Sequence, residues 1–225
     1  RLSQIEDIDV AGRTVRVGSG VILSNLHDAA DAHDLIFPLT FGARGSAMIG
    51  GVLSTNAGGS NVVRYGNTRD LVLGVEVVLP NGEIADLMSE LRKDNSGYNL
   101  KHLVIGAEGT LGIITRAVLK LSPKPLAYAT AMVAAPSIGD GLKLLNQLQD
   151  ATGGAVEAFE YMPARAVDVI CAQFPDIRPP LAEVAETGIL VEVASSRDLD
   201  AEQTDDGGTR LVEDVMTLLG DLMEE

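Results

Sequence analysis

The chemistry most visible in this chain lies in two glycine-rich runs. The first, Ser46-Ala-Met-Ile-Gly-Gly-Val-Leu-Ser-Thr-Asn-Ala-Gly-Gly59, sets four glycines in two adjacent pairs with Ser54, Thr55 and Asn56 between them. Glycine costs conformational entropy in any regular element, so such pairs point to backbone that takes positive φ or approaches something closely. Bare backbone N–H groups near the start of a helix form a partly positive nest suited to an anion, and a phosphate is the natural candidate. The second run, Ile105-Gly-Ala-Glu-Gly-Thr-Leu-Gly-Ile-Ile-Thr115, spaces three glycines by three around a single carboxylate, Glu108. Neither run is a nucleotide fingerprint: Gly18-Ser-Gly20 is followed by Leu23 where G-x-G-x-x-G needs glycine, and no G-x-x-x-x-G-K-[ST] occurs. On the residues alone, a phosphate-bearing ligand and a merely turn-rich, tightly packed fold both stay open.

The elements that must position these runs can be read from periodicity. Thr14-Val-Arg-Val17 alternates like a half-buried strand, Ser24 could cap a helix over Asn25 to Asp34, and Leu35 to Leu39 reads as a short strand. His27 and His33, six apart, suit no shared metal and read as surface residues. Asp70 to Leu79 is a β-branched buried strand that turns through Pro80-Asn81-Gly82-Glu83 and returns over Ile84 to Leu87. Tyr98 to Val104 suggests a short helix carrying His102 on its surface, and Gly112 to Leu121 a strand ended by Ser122-Pro-Lys-Pro125. That Pro-rich exit marks a domain boundary, giving domains 1–125 and 126–225. Beyond it come a strand at Ala127 to Ala134, a helix at Ile138 to Leu148 with Leu142, Leu145 and Leu148 at helical spacing, and a strand at Val156 to Tyr161. A helix at Pro163 to Ala172, a strand at Ile189 to Val193 and an amphipathic helix at Leu211 to Met223 complete the order.

Composition narrows the function. With 225 residues and 46% hydrophobic content, the chain can bury a real core, and an aromatic fraction of 4% makes that core aliphatic. A net charge of −15 argues against nucleic acid or an anionic membrane as partner, because neutralising phosphates needs clustered Lys and Arg. The charge is uneven: residues 183 to 225 hold 13 Asp and Glu against 2 Lys and Arg, which reads as a solvated helix face. Cys171 is the one cysteine, so no intrachain disulfide forms, and a reducing, cytoplasmic location is the expectation. No run approaches the length of a membrane span.

Taken together, Gly50-Gly51 through Asn56-Ala-Gly-Gly59, Tyr65-Gly66, Val77 to Gly82, Lys93-Asp-Asn-Ser-Gly-Tyr98 and Gly106 to Thr115 closely resemble the FAD-linked oxidases of the vanillyl-alcohol-oxidase superfamily. The branch is similar to the D-2-hydroxyacid dehydrogenases: D-lactate, D-2-hydroxyglutarate and glycolate-oxidase-type enzymes. The resemblance implies an α+β fold, with a PCMH-type FAD-binding subdomain (a mixed or antiparallel sheet with flanking helices) and then an incomplete ferredoxin-like antiparallel cap. Residues 1–125 would be the second FAD-binding subdomain, without the first, and residues 126–225 part of a substrate cap. The implied activity of the parent protein is oxidation of a D-2-hydroxyacid to a 2-oxoacid, by hydride transfer to flavin, with electrons passed to a separate acceptor.

Carried over motif by motif, the resemblance places Gly50, Gly51, Thr55, Asn56, Gly58 and Gly59 around the FAD pyrophosphate and ribityl, with Ser46 and Ile49 beside them. Tyr65 and Gly66 fall near the cofactor, and Glu108, Gly109, Gly112, Ile113 and Ile114 pass its adenosine and flavin portions. Glu108 is expected to anchor loop N–H groups rather than act as a base, and Lys93, Asp94, Asn95 and Tyr98 to shape a loop. No histidine matches a position of covalent flavin attachment, so the FAD should be dissociable. The family's divalent metal and substrate-carboxylate residues have no counterparts here, so no catalytic or metal residue is assigned, and the chain reads as a fragment. The partners expected are a small 2-hydroxyacid and an electron acceptor, with a homodimer left open. A non-catalytic flavin- or nucleotide-binding module and a ligand-free α+β interaction domain are the alternatives.

Overall fold

The computed structural model describes residues 2–182 and 185–224. The chain divides into two compact units, Arg1–Lys124 and Pro125–Glu225.

In the first unit, the alternation of Thr14–Gly18 (β1) buries Val15 and Val17 and leaves Arg16 to reach Glu90 at 2.7 Å. Helix Leu23–Asp31 (α1) buries Leu23, Leu26 and Ala30. It starts one residue before Ser24, so Ser24 is not its cap. A neighbouring segment does that work, with the Leu23 amide donating to the Ala47 carbonyl at 2.9 Å. The strand expected over residues 35 to 39 contracts to Leu35–Ile36 (β2). Then come short helices Ile49–Ser54 (α2) and Val62–Tyr65 (α3). The expected hairpin forms from Val72–Val78 (β3) and Ile84–Leu87 (β4), with Gly82 at φ 87° and the Leu79 amide donating to the Glu83 carbonyl at 2.8 Å. A single turn of helix, Lys101–Val104 (α4), follows the exposed loop of residues 90 to 100, and Ile113–Lys120 (β5) crosses back to the sheet.

The strands lie in the order β1-β5-β3-β4, all antiparallel, with Val15 opposite Leu119 and Val75 opposite Ala117. Central position explains the composition of β3 and β5: Val75, Val77, Ala117 and Leu119 are fully buried. Ser122–Pro123 (β6) pairs with β2 and closes the unit. One aliphatic core, reaching from Leu23 and Leu26 through Phe37, Ile49 and Leu53 to Val75 and Leu119, fixes α1 and α2 against the sheet.

The second unit runs Ala127–Ala135 (β7), Ile138–Thr152 (α5), Val156–Pro163 (β8), Ala164–Gln173 (α6), Thr187–Ser195 (β9) and Arg210–Glu224 (α7). Its sheet has the order β7-β9-β8, antiparallel throughout, so β7 and β8 run the same way with α5 as their crossover. This is a split β-α-β arrangement. It departs from a ferredoxin-like chain order in carrying α6 between β8 and β9. The buried stripe of α5 is Gly141, Leu144, Leu145 and Leu148; Leu142 faces outward, because residues 141 and 148 rather than 142 share the inward face. Among the described residues no helix is long and apolar enough to cross a membrane.

His27 is half-buried rather than on the surface. Its Nε2 lies 3.1 Å from the Leu39 carbonyl, tying α1 to the segment that leads into the first glycine run. Burial, the largest effect, lowers its pKa below the ordinary imidazole value of 6.5. A base whose folded pKa is depressed is protonated first in the unfolded chain. The stability tied to the neutral ring is therefore complete above the unfolded value and is lost as pH falls through it. We expect His27→Gln to flatten the stability loss on moving from neutral pH toward pH 5 in urea titrations. The cap of α5 gives a second check: Ser137 Oγ accepts from the Asp140 amide at 3.2 Å, so Ser137→Ala should cost about 1 kcal/mol in the same assay.

Candidate cofactor-binding site

The two glycine runs meet in space. The Gly106 amide donates to the Leu53 carbonyl at 3.0 Å, and the Glu108 amide to the Ser54 carbonyl at 2.9 Å. The loop 105–112 is thereby stitched to the C-terminal end of α2. Both sides of the seam carry a left-handed residue that is not glycine: Asn56 at φ 48° and Glu108 at φ 50°. Such conformations cost energy and persist only where the surroundings hold them. Asn56 is held by its own amide donating to the Leu53 carbonyl at 3.1 Å and by its Oδ1 accepting from the Arg69 amide at 2.9 Å.

The glycines divide into two kinds. At Gly51 an added Cβ would meet nothing within 4 Å, and at Gly109, with φ 79°, it would meet one atom, Ile113 Cδ1, at 3.8 Å. These two face open space. Gly50, Gly58, Gly59 and Gly112 are packed instead: a Cβ would come within 2.8 Å of Ser19 Cβ, 3.3 Å of Asn67 Oδ1, 2.5 Å of the Thr40 carbonyl oxygen and 2.6 Å of Val77 Cγ1 respectively. Most glycines of the motif thus let protein approach protein, and fewer leave room for a ligand. The backbone amides divide likewise. Ile49 and Gly50 donate inward, to Val21 and Ser19 carbonyls at 2.9 and 2.7 Å, while among the described residues no protein group accepts from Gly51, Gly58, Gly59 or Gly109.

Several expected contacts are corrected by this geometry. Ile49 is fully buried and its amide is already used, so neither its side chain nor its N–H can reach a ligand. Ile114 is 4% exposed and belongs to the core, whereas Ile113 is 61% exposed and is the one available as an apolar wall. The Thr55 hydroxyl donates back to the Gly51 carbonyl at 3.0 Å, and the Ser46 hydroxyl to the Ala43 carbonyl at 3.3 Å. Glu108 lies exposed and its carboxylate holds no loop amide among the described residues; the anchoring is done by its backbone. Tyr65 packs partly buried against the core with the Arg64 guanidinium 5.1 Å from its ring centre. Gly66 closes a turn over Asp70, whose carboxylate accepts from the Asn67 amide at 2.9 Å. In the loop before α4, Asp94 accepts from the Ser96 amide at 3.0 Å and from its hydroxyl. Those bonds hold its carboxyl below the usual range.

The residue that reading the sequence missed is Arg69, which carries no motif of its own. Its guanidinium donates to the His102 carbonyl and, at 2.6 Å, to the Ile105 carbonyl, just ahead of the second glycine run. His102, expected on the surface, keeps a buried Nδ1 with no hydrogen-bond partner among the described residues. Burial is the largest cause lowering the pKa of His102, Lys101 and Lys120, and nearby cations come second: Lys101 for His102, Lys120 for Lys101 and Arg92 for Lys120. Cations thus gather beside this loop in a chain of net charge −15, with the carboxylates of Asp70 and Asp94 acting against them.

Open space at Gly51 and Gly109 and uncommitted amides leave backbone that an anion such as a diphosphate can approach, with Ile113 and the 48%-exposed Leu111 as apolar surface beside it. Among the described residues no group of three His, Cys, Asp or Glu stands close enough to hold a metal ion.

Known proteins similar to this chain bear on its cofactor. A family model described as an FAD binding domain matches residues 1–88. The chain is 36% identical over 195 residues to a D-2-hydroxyglutarate–pyruvate transhydrogenase of Saccharomyces cerevisiae, covering 87% of this chain and 39% of that protein. It is 37% identical over 195 residues to a mitochondrial D-2-hydroxyglutarate dehydrogenase of Arabidopsis thaliana, covering 87% of this chain and 35% of that one. To the enzyme of the same name from Rattus norvegicus it is 39% identical over 196 residues, with coverages of 87% and 36%. The chain thus spans 35–39% of the length of these relatives. The fold is shared with a solved alkyldihydroxyacetonephosphate synthase at a TM-score of 0.70 and 19% identity, over all of this chain and 41% of that one. Residues 1–88 thus belong to the FAD binding domain family, the chain as a whole is similar to part of the D-2-hydroxyacid dehydrogenase branch of the FAD-linked oxidases, and FAD is its cofactor.

Proposed function

We propose that this chain is the cofactor-holding part of an FAD-dependent dehydrogenase that oxidises a D-2-hydroxyacid, D-2-hydroxyglutarate in particular, to the 2-oxoacid. The observation that carries the reading is the stitched pair of loops with two glycines open to space, because such backbone accepts a diphosphate without side-chain interference. The substrate is suggested by the names of the relatives, which share 36–39% identity with the chain. FAD, when bound, supplies the two-electron acceptor for the hydride leaving the substrate carbon that bears the hydroxyl.

What the chain itself contributes is binding and placement. The uncommitted amides of Gly51, Gly58, Gly59 and Gly109 would hold the diphosphate, Asn56 and Glu108 fix the backbone from which those amides project, and Leu111 and Ile113 would wall the rings from water. A separate acceptor would take the electrons, and no residue here is assigned a proton-transfer role.

Two substitutions separate the ligand-facing glycines from the packing ones. Gly51→Leu adds bulk into open space at a helical position, so the fold should be retained or slightly stabilised while FAD affinity falls by about tenfold or more. Gly59→Ala drives a methyl against the Thr40 carbonyl and should cost about 1–3 kcal/mol of stability before any ligand is added. For the activity, purified full-length protein should be yellow and should reduce a dye with D-2-hydroxyglutarate. Flavin bands without turnover would favour the non-catalytic module, and a colourless protein that takes up no FAD would end the reading.

A further inference from the structure

Arg69 touches both glycine runs from a position between them. Its backbone amide donates to Asn56 Oδ1 at 2.9 Å, which holds the left-handed residue that ends the first seam. Its guanidinium donates to the His102 carbonyl and, at 2.6 Å, to the Ile105 carbonyl, which immediately precedes Gly106. A Cβ at Gly106 would lie 3.1 Å from the Arg69 Nη2 and 3.2 Å from Asn56 Cβ, so glycine there is what lets the three groups close on one another. The planar fork suits this task. It reaches two carbonyls at a fixed separation, which a lysine ammonium on a flexible stem cannot do at once. No carboxylate forms an ion pair with it among the described residues, so its charge is spent on backbone carbonyls.

We propose that Arg69 is the positioning residue of the cofactor site: it locks the relative placement of residues 51–59 and 106–112, and so sets how tightly FAD is held without touching it. This rests on the flavin reading of those loops. The consequence is that the two loops act as one binding surface. Loosening the fork lets each loop keep its own hydrogen bonds while the joint spacing between their amides drifts, and a ligand spanning both loses affinity that neither loop alone would forfeit.

The test uses the full-length protein stripped of FAD, with Arg69→Lys, Arg69→Ala and Gly51→Leu compared to wild type. The dissociation constant for FAD is read from flavin fluorescence, and the melting of the apoprotein from circular dichroism. Arg69→Lys keeps the charge and the backbone amide but can hold only one of the two carbonyls, so its apoprotein should melt cooperatively at a modestly lower temperature while FAD binds about tenfold or more weakly than that loss of fold accounts for. Millimolar guanidinium should restore much of the affinity lost in Arg69→Ala and should do nothing for Gly51→Leu. If Arg69→Lys binds FAD as wild type does, or if both Arg69 variants lose affinity only in step with loss of fold and guanidinium rescues neither, the proposal is overturned. Those results with weakened binding in Gly51→Leu would leave the flavin reading intact. Unchanged binding in Gly51→Leu would remove that reading and this one with it.

Discussion

The site depends on two cross-loop hydrogen bonds, Gly106 to Leu53 and Glu108 to Ser54. They join a helix end to a strand entry, elements whose positions are fixed by separate contacts with the same core. Ile49, Val52 and Leu53 bury α2 against it, and Ile114, Ala117 and Leu119 bury β5. Between these anchors the backbone is forced through left-handed conformations at Asn56 and Glu108, at a cost of about 1–2 kcal/mol each. Four bonds offset this: the two of the seam, the Asn56 amide to Leu53 and the Arg69 amide to Asn56 Oδ1, at about 0.5–1.5 kcal/mol apiece. The strained turns are thus sustained locally, and they aim the remaining amides away from the protein's own acceptors.

The same economy explains how an acidic protein can hold a diphosphate. Overall charge governs long-range encounter, but binding at short range is set by groups within a few ångströms. Here those groups are neutral amides, with the Arg69 guanidinium bonded to the carbonyl just ahead of the second run, while the acidic excess falls in residues 183 to 225 of the second unit.

Much of this was legible in the sequence, though unevenly. The glycine runs marked two segments that the fold brings together, and the alternation of residues 14–17, 72–78 and 113–120 named the strands beside them. The sequence could not say which glycines face a ligand. Gly50 and Gly51 are adjacent and identical as letters, yet one is pressed on Ser19 and the other is open, a distinction made by residues thirty positions away. Ser24 looked like a cap because its type suits one, but the Ala47 carbonyl arrived first through tertiary packing. Ile49 and Ile114 sat inside binding motifs and proved to be core, because a motif records a backbone path and not the direction of each side chain. Arg69 left no trace, since a guanidinium gripping two carbonyls has no spacing signature.

The central claim is that the two loops form one preorganised surface for the cofactor diphosphate. Residue-resolved hydrogen exchange on the full-length protein, with and without FAD, tests it most directly. The account predicts that the Gly106 and Glu108 amides exchange slowly even without FAD, and that adding FAD slows Gly51, Gly58, Gly59 and Gly109 together. Fast exchange at Gly106 and Glu108 in the apoprotein, or protection by FAD that bypasses either loop, would contradict it.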